Sequence, residues 1–469
     1  MRFLEALIVL VDLVLVIAPL WSALWERRRW IAALASSAAV LVLAHLVWEK
    51  YRWQMIPFYA LTGWFVLRTA LGVPERGRGW RIAGVAFNGV LVALGVALLV
   101  LLPVPRMPEP TGPYAIGTVT FHWIDESRAE TYGGADGSRP RELMAQVWYP
   151  AEPAPGARPV RWLEDGLVVS RAMAEWVNLP GFLVDQITLT RSTSYRDAPL
   201  AAAEREYPLV VSIHGWGGYR NINQDQLEAL ASHGYVVVSA DHTYGALISV
   251  FPDGRIARND PTALRGDGSE AGGEAAREEL VGTWADDVAF VISQMERLNA
   301  ADPDGWFTGR IDLDRIGVFG HSTGGGAAVW FCAVDQRCRA ILGMDAWVEP
   351  VPEAVVERGL SQPLMIMNSE TWNDDENRDR QRRLYAGTAG PAYWMVTEGT
   401  WHYDFVMVPS LSPMAHTLKM KGPLPGERVV EIHNSYLVAF LQKHLRGADE
   451  PSLTDAPAVY PEVQFEMRE

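Results

Sequence analysis

Four apolar stretches in the first 105 residues constrain this chain before anything else does: about Phe3–Trp25, Trp30–Trp48, Trp53–Val73 and Trp80–Leu102. Each approaches the ~20 residues that an α-helix needs to cross the hydrocarbon core of a bilayer. Trp25, Trp30, Trp48, Trp53 and Trp80 mark their edges, where amphipathic rings favour the headgroup zone. A cleavable signal peptide accounts for one such stretch, not four. Soluble helices, even buried ones, need no consecutive run this apolar. The expectation is a four-helix transmembrane segment over residues 1–105.

The connections "ERRR", "EKYR" and "PERGRG" are short enough to force antiparallel hairpins. Basic residues set the orientation of such a bundle. Arg27, Arg28 and Arg29 lie on the same side as Arg76, Arg78 and Arg81; Arg2, Lys50, Arg52 and Arg106 lie on the other. The richer side is expected in the cytoplasm, which puts both termini outside, in the periplasm or cell exterior of a bacterial inner-membrane protein. Glu5 and Asp12, seven apart on one helix face, are costly in such a span. His45 or Arg68 is a possible partner. For Glu5, near the interface, a structural role is the simpler reading. For Asp12, function and hydrogen bonding within the bundle stay open.

Charge divides the chain at the same place. Residues 1–105 carry ten Lys/Arg against five Asp/Glu, whereas the remaining 364 carry 31 against 51. So acidic a part will not seek nucleic acid or an anionic membrane surface, and it is long enough for one large core. "LLPVPRMPEPTGP" is a stiff proline-rich linker between the two.

Beyond it, "YAIGTVTFHWID" and "LMAQVWYP" read as strands, joined by the polar loop "ESRAETYGGADGSRPRE", and a helix is possible near Leu167–Val177. From Tyr207, buried strands alternate with helices: "PLVVSIHG", "YVVVSAD", "RIGVFG", "RAILGMD", "PLMIMNSE" and "AYWMVTEG", closed by the helix "ERVVEIHNSYLVAFLQKHL". A polar, glycine-rich segment over roughly Asp253–Glu274 interrupts the rhythm, and its Arg265–Asp267 "RGD" is treated as a chance tripeptide. This pattern means a mostly parallel α/β sheet covered on both faces, in one domain over residues 106–469.

"VFGHSTGGG", residues 318–326, places Ser322 in a Gly-x-Ser-x-Gly frame between an apolar strand and a helix. That is the setting of a nucleophile elbow, a turn so tight that its neighbours must be small. Gly320, Gly324 and Gly325 meet the requirement. A serine nucleophile needs a base, and the base an orienting acid, both later in the chain in this fold. Of the histidines after Ser322, His433 and His444 belong to the closing helix; His402, on the loop after "AYWMVTEG", is a better base than His416. For the acid, Asp345 ends "RAILGMD" and Glu370 ends "PLMIMNSE"; strand position alone leaves both open. Asp404 is too close to His402 to serve. "IHGWGG", residues 213–218, stands where this fold places a second oxyanion donor.

These stretches, with "TGPYAIGTV", "LASHGYVVVSADH", "GHSTGG", "LGMDAWVEP", "WHYDF", "LKMKGPL" and "FLQKHLRG", resemble the platelet-activating factor acetylhydrolase family (plasma and type II), over about Thr111–Gly447. The resemblance implies an α/β-hydrolase acting on short or oxidised acyl esters, with Ser322 as nucleophile, Asp345 as acid and His402 as base. It also implies an oxyanion hole from the Trp216 and Thr323 amides. The membrane segment departs from the secreted members, and Trp216 and Thr323 differ from their usual side chains. Trp216, Trp347 and Trp401 either line the acyl pocket or pack the core. A broad or polyester esterase, or a non-catalytic sensor module, are the alternative functions.

No cofactor is implied, and zinc has little support because no metal-binding spacing of His with carboxylates occurs. The partners expected are a lipid or small-molecule ester and the membrane, with no oligomeric state implied. Cys332 and Cys338 are the only cysteines. On a continuous helix they would sit about 9 Å apart, too far to bridge. A helix ending near "DQR" would let them form a disulfide in an oxidising compartment; otherwise they are buried thiols.

Overall fold

The computed structural model describes residues 1–20, 28–73, 77–134, 136–266, 269–372, 374–454 and 459–469. Trp25, Arg27, Arg76 and Asp267 of the sequence reading lie outside the described residues. The chain divides into two compact units: Met1–Pro105 with Pro180–Thr190 and Leu411–Met414, and the remainder.

The first unit holds helices α1 (Phe3–Ile17), α2 (Arg28–Trp48), α3 (Ile56–Ala70) and α4 (Arg78–Leu101). Among the described residues three stretches, not four, are long and apolar enough to cross a membrane: Phe3–Leu20, Arg29–Trp48 and Arg78–Leu101. The expected third stretch, a 3₁₀ turn Trp53–Met55 followed by α3, is less apolar than the others because it carries Gln54, Pro57, Thr62, Arg68 and Thr69. The outward faces are apolar: Leu43, Val47, Phe87 and Val90 are all over 60% exposed.

Inside this unit the acidic residues are paired. Buried Glu5 accepts from Arg2 at 2.8 and 2.9 Å and from Arg52 at 3.1 and 3.2 Å, with the His45 ring 3.8 Å away. Asp12 accepts from the Thr62 hydroxyl at 3.0 and 3.1 Å. His45 therefore neighbours Glu5, and the residue holding Asp12 is a threonine on α3, which charge pairing alone does not point to.

The second unit is a ten-stranded sheet. Its strands are β1 (Ala115–Ala129), β2 (Pro140–Ala151), β3 (Ser194–Arg196), β4 (Tyr207–Ile213), β5 (Val236–Asp241), then β8 (Ile311–His321), β9 (Cys338–Met344), β10 (Leu364–Ser369), β11 (Ala392–Thr397) and β12 (Val463–Arg468). A separate hairpin pairs β6 (Ile248–Val250) with β7 (Ile256–Arg258). The order is β12-β11-β10-β9-β8-β4-β5-β2-β1-β3. From β5 to β11 every neighbouring pair is parallel, while β1–β2, β2–β5 and β11–β12 are antiparallel.

The central strands are fully buried Val/Ile/Leu/Met runs because helices cover both faces. Helix α5 (Gly166–Trp176) occupies the region read as a possible helix. The long helix α7 (Glu270–Ala300) and α8 (Thr323–Val334) share one core cluster with the sheet; α6 (Gln224–Ser232) and α11 (Gly426–Arg446) share the other. Helices α9 (Glu353–Arg358) and α10 (Asp375–Gly387) fall between the later strands.

Burial holds four histidines of this unit, His214, His242, His321 and His433, below the ordinary imidazole range, His214 and His433 at about 3. Folded, they are neutral at pH 7. Unfolded, each takes up a proton near ~6.5. The unfolded chain thus binds more protons below that pH, so stability is complete above it and falls as pH drops. At pH 5 the loss is about 2 kcal/mol for each histidine held near 3. We expect the full chain in detergent to melt several degrees lower at pH 5 than at pH 7. His433 stacks on Phe405 at 4.3 Å, so His433→Phe keeps the stack and should shrink the pH 7-to-5 drop. Equal drops in both proteins would refute the assignment.

Candidate active site

Strand β8 ends at His321, and Ser322 follows at φ 55°, ψ −121° before α8 begins at Thr323. A non-glycine residue rarely holds this backbone conformation. Ser322 stays there because its amide donates to the Met344 carbonyl and its own carbonyl accepts from Gly325 and Trp347, each at 2.9 Å. A Cβ at Gly320 would sit 2.3 Å from the Gly324 carbonyl oxygen, and one at Gly324 2.4 Å from those of Ile213 and His214. Strand and helix approach each other that closely because neither position carries a side chain.

The other residues gather at the same edge of the sheet. Asp345, directly after β9, is fully buried. Its carboxylate accepts from the Ser369 amide and hydroxyl, both at 2.7 Å, and lies 3.0 Å from Nδ1 of His402. Since the carboxylate accepts, Nδ1 of His402 carries the proton and Nε2 keeps a lone pair. Ser369 closes β10, so the expected order of elements brings Asp345 and His402 together.

His402 opens a 3₁₀ turn, His402–Phe405. Asp404 fixes that turn from within, accepting from the Trp401 and Gly422 amides at 2.7 and 2.6 Å. Glu370, the alternative acid, is exposed and accepts from the Gly399 amide at 2.7 Å. It braces a turn rather than the imidazole. His416 lies against Trp401, with ring centroids 5.7 Å apart.

Two aromatic neighbours of His402 escaped the sequence reading. The Trp372 indole stacks on it at 3.9 Å and 17°, and the His321 ring lies 4.5 Å away at 37°. His321 Nε2–H also donates to the His402 carbonyl at 3.0 Å. Ser369 Oγ, already bonded to Asp345, accepts from the Trp372 amide at 3.2 Å. The signal for Trp372 was its place three residues after Ser369, but nothing in the spacing says that the loop folds back over the base.

A Cβ at Gly215 would lie 3.2 Å from that of Ser322, so the loop after β4 reaches the elbow serine. Gly217 and Gly218 donate to the carbonyls of Gly245 and Gly215, whereas the Trp216 amide has no acceptor among the described residues. Thr323 opens α8, where an N–H has no intrahelical partner. The Trp216 ring is partly buried against Trp284 at 6.5 Å, and Trp347 meets Ser322 through its backbone. Cys332 and Cys338 are joined by a disulfide with Cα atoms 5.2 Å apart, linking the end of α8 to the start of β9.

A mostly parallel sheet with a serine on a strained strand-to-helix turn, and an Asp–His pair after later strands, defines the α/β-hydrolase class. A solved ferulic acid esterase from Streptomyces cinnamoneus matches with a TM-score of 0.62 at 27% identity, covering 77% of this chain and 99% of that one. Within the class, residues 105–455 match the family described as platelet-activating factor acetylhydrolase, isoform II, and the chain belongs to that family. The platelet-activating factor acetylhydrolase of Gallus gallus is 26% identical, the alignment covering 72% of this chain and 84% of that protein. That of Canis lupus familiaris is 28% identical over 53% of this chain. The alignment spans only 59% of the canine protein's length.

The close approach at the elbow makes a structural prediction independent of chemistry. Gly324→Ala should prevent folding of this unit or lower its melting temperature by more than 10 °C. Gly273, where an added Cβ meets only ordinary contacts at 3.7 and 3.9 Å, lies inside α7, and Gly273→Ala should be neutral or stabilise by up to about 1 kcal/mol. Normal yield and melting of Gly324→Ala would show that the turn is not this tight.

Proposed function

We propose that this chain is a membrane-anchored serine hydrolase of carboxylic esters, acting on short or oxidised acyl esters of the phospholipid type. The observation that carries the reading is the buried Asp345–His402 hydrogen bond beside the elbow serine. In the first step His402 Nε2 takes the Ser322 Oγ proton as the oxygen attacks the ester carbonyl. The Trp216 and Thr323 amides, which have no other acceptor among the described residues, donate to the developing oxyanion. His402 returns the proton to the departing alcohol, leaving an acyl-enzyme that water cleaves by the reverse sequence.

Asp345 holds the imidazole in its Nδ1–H tautomer and stabilises the cation. Trp372 and His321 hold the ring plane, and Ser369 ties Trp372 to the acid. The relatives named as acetylhydrolases support a phospholipid-like ester with a short acyl group. The ferulic acid esterase neighbour favours a second reading, a broader esterase on non-lipid esters. Hydrolysis rates across acyl length, with phospholipid and simple esters side by side, separate the two.

Ser322→Ala and His402→Ala should each lower kcat by about 10⁴–10⁶ without unfolding the protein. Fluorophosphonate should label the wild type and not Ser322→Ala. Asp345→Asn should cost about 10⁴ in kcat, and Glu370→Gln a few-fold at most. A folded Ser322→Ala protein that keeps more than a few per cent of activity would exclude the nucleophile, and a more damaging Glu370→Gln would move the acid to β10.

The three apolar helices support membrane anchoring, and with α3 as a fourth, less apolar crossing the excess of arginine on one side favours a hydrolase unit outside the cytoplasm, in the periplasm if the source is bacterial. A Cys332–Cys338 disulfide suits that compartment. Non-reduced, alkylated peptides from native membranes should retain the bond, and protease added to intact spheroplasts should reach the hydrolase unit. Free thiols in a shielded domain would reverse the orientation.

A further inference from the structure

The membrane unit carries a groove of about 600 Å³ lined by α1, α3 and α4. Its wall is apolar, with Leu61, Phe65 and Leu91 among its residues, yet Arg68, Arg81 and Asn88 also line it. Arg68 is two residues from the end of α3 and Arg81 three from the start of α4, so in an antiparallel pair both guanidinium groups belong to the same end of the groove. Asn88 lies seven residues further along α4, about 10 Å deeper.

Arg81, Gly84, Asn88 and Leu91 follow the spacing of one helix face. A Cβ at Gly84 would meet nothing within 4 Å, so the face between the cation and the amide is open. Among the described residues neither the Arg81 nor the Asn88 side chain has a hydrogen-bond or ion-pair partner. In hydrocarbon an amide without a partner is costly.

We propose that this groove binds one anionic glycerophospholipid: the phosphate on Arg68 and Arg81, an ester carbonyl on the Asn88 amide, and an acyl chain along Leu61, Phe65 and Leu91. Basic pockets between spanning helices recognise such headgroups. With α3 counted as a crossing, the charge bias of the loops favours the cytoplasmic leaflet for this end, where anionic lipids are found. A phospholipid satisfies Arg81 and Asn88 together. A free fatty acid leaves Asn88 unpaired, and a neutral lipid leaves Arg81 so. The inference rests on the membrane reading of this unit and not on the esterase reading.

The test is native mass spectrometry of the full chain in detergent, titrated separately with dioleoylphosphatidylglycerol, dioleoylphosphatidylcholine and oleate. Wild type should retain one phosphatidylglycerol at least tenfold more tightly than either competitor. Arg81→Gln, and Gly84→Leu, which fills the open face, should each abolish that preference. Asn88→Leu should weaken phosphatidylglycerol binding and leave oleate unchanged. Unchanged melting and unchanged hydrolysis of a soluble ester show that each variant is folded. Equal retention of the three lipids, a preference that survives both Arg81→Gln and Gly84→Leu, or a dimer that Gly84→Leu dissolves would overturn the proposal. Failure of the membrane reading itself would look different: the chain would leave membranes in alkaline carbonate.

Discussion

The strained backbone of Ser322 is the constraint around which the hydrolase unit is arranged. A residue at φ 55° costs on the order of 1–3 kcal/mol, and it persists only where its surroundings leave it no alternative. Here the surroundings are backbone. The Met344 carbonyl takes the Ser322 amide, the Trp347 amide takes the Ser322 carbonyl, and Gly320 and Gly324 let β8, α8 and β4 close on one another. The elbow is thus joined to the strands on both its sides, β4 and β9. The turn that lifts the serine also fixes its distance from the elements bearing Asp345 and the Trp216 loop.

From that turn outward, each residue of the site is held by a neighbour in another element. Asp345 is fixed by Ser369 of β10, Ser369 by the Trp372 amide, and Trp372 lies flat on the imidazole that Asp345 orients. His321, one residue before the serine, reaches the His402 carbonyl and ring. Trp372 and His321 both lie against the His402 ring. An imidazole confined in this way keeps its Nε2 lone pair in one direction. That preorganisation is what a general base needs before substrate arrives.

Local chemistry carried much of this into the sequence. The elbow was legible because close backbone approach demands glycine at fixed offsets, and the candidate acids because strand ends collect at one edge of a parallel sheet, while the Asp345–His402 pairing was implied by the family resemblance. Strand position alone left Asp345 and Glu370 open; in the structure Ser369 points its amide and hydroxyl at Asp345, while Glu370 braces Gly399. The third apolar stretch misled because its edge tryptophans drew attention from the polar residues between them, Gln54, Thr62 and Arg68, which make it less apolar than the other three. The polar segment over Asp253–Glu274 hid β7 and the first turn of α7. The strand β12 also escaped, since an edge strand with alternate charged residues, Glu466 and Arg468, has no buried run to announce it.

Least legible of all was the support beneath the Trp216 loop. Arg141 of β2 makes a paired contact with Asp287 of α7, at 2.7 and 2.6 Å, and also reaches Glu130. Burial alone would push the Asp287 carboxyl up, yet the Arg141 charge and hydrogen bonds outweigh it and hold the group below the ordinary carboxylate range. So anchored, Asp287 accepts from Nδ1 of His242 at 2.9 Å, and His242 stacks on Trp284 at 4.3 Å. Trp284 in turn carries Trp216. A buried ion pair of this kind is weak as a source of net stability, because desolvation offsets most of its attraction. Its effect here is directional: it orients His242, which stacks on Trp284, and Trp284 lies beside the Trp216 ring. The surroundings of that ring thus depend on a contact between residues 146 positions apart in the chain.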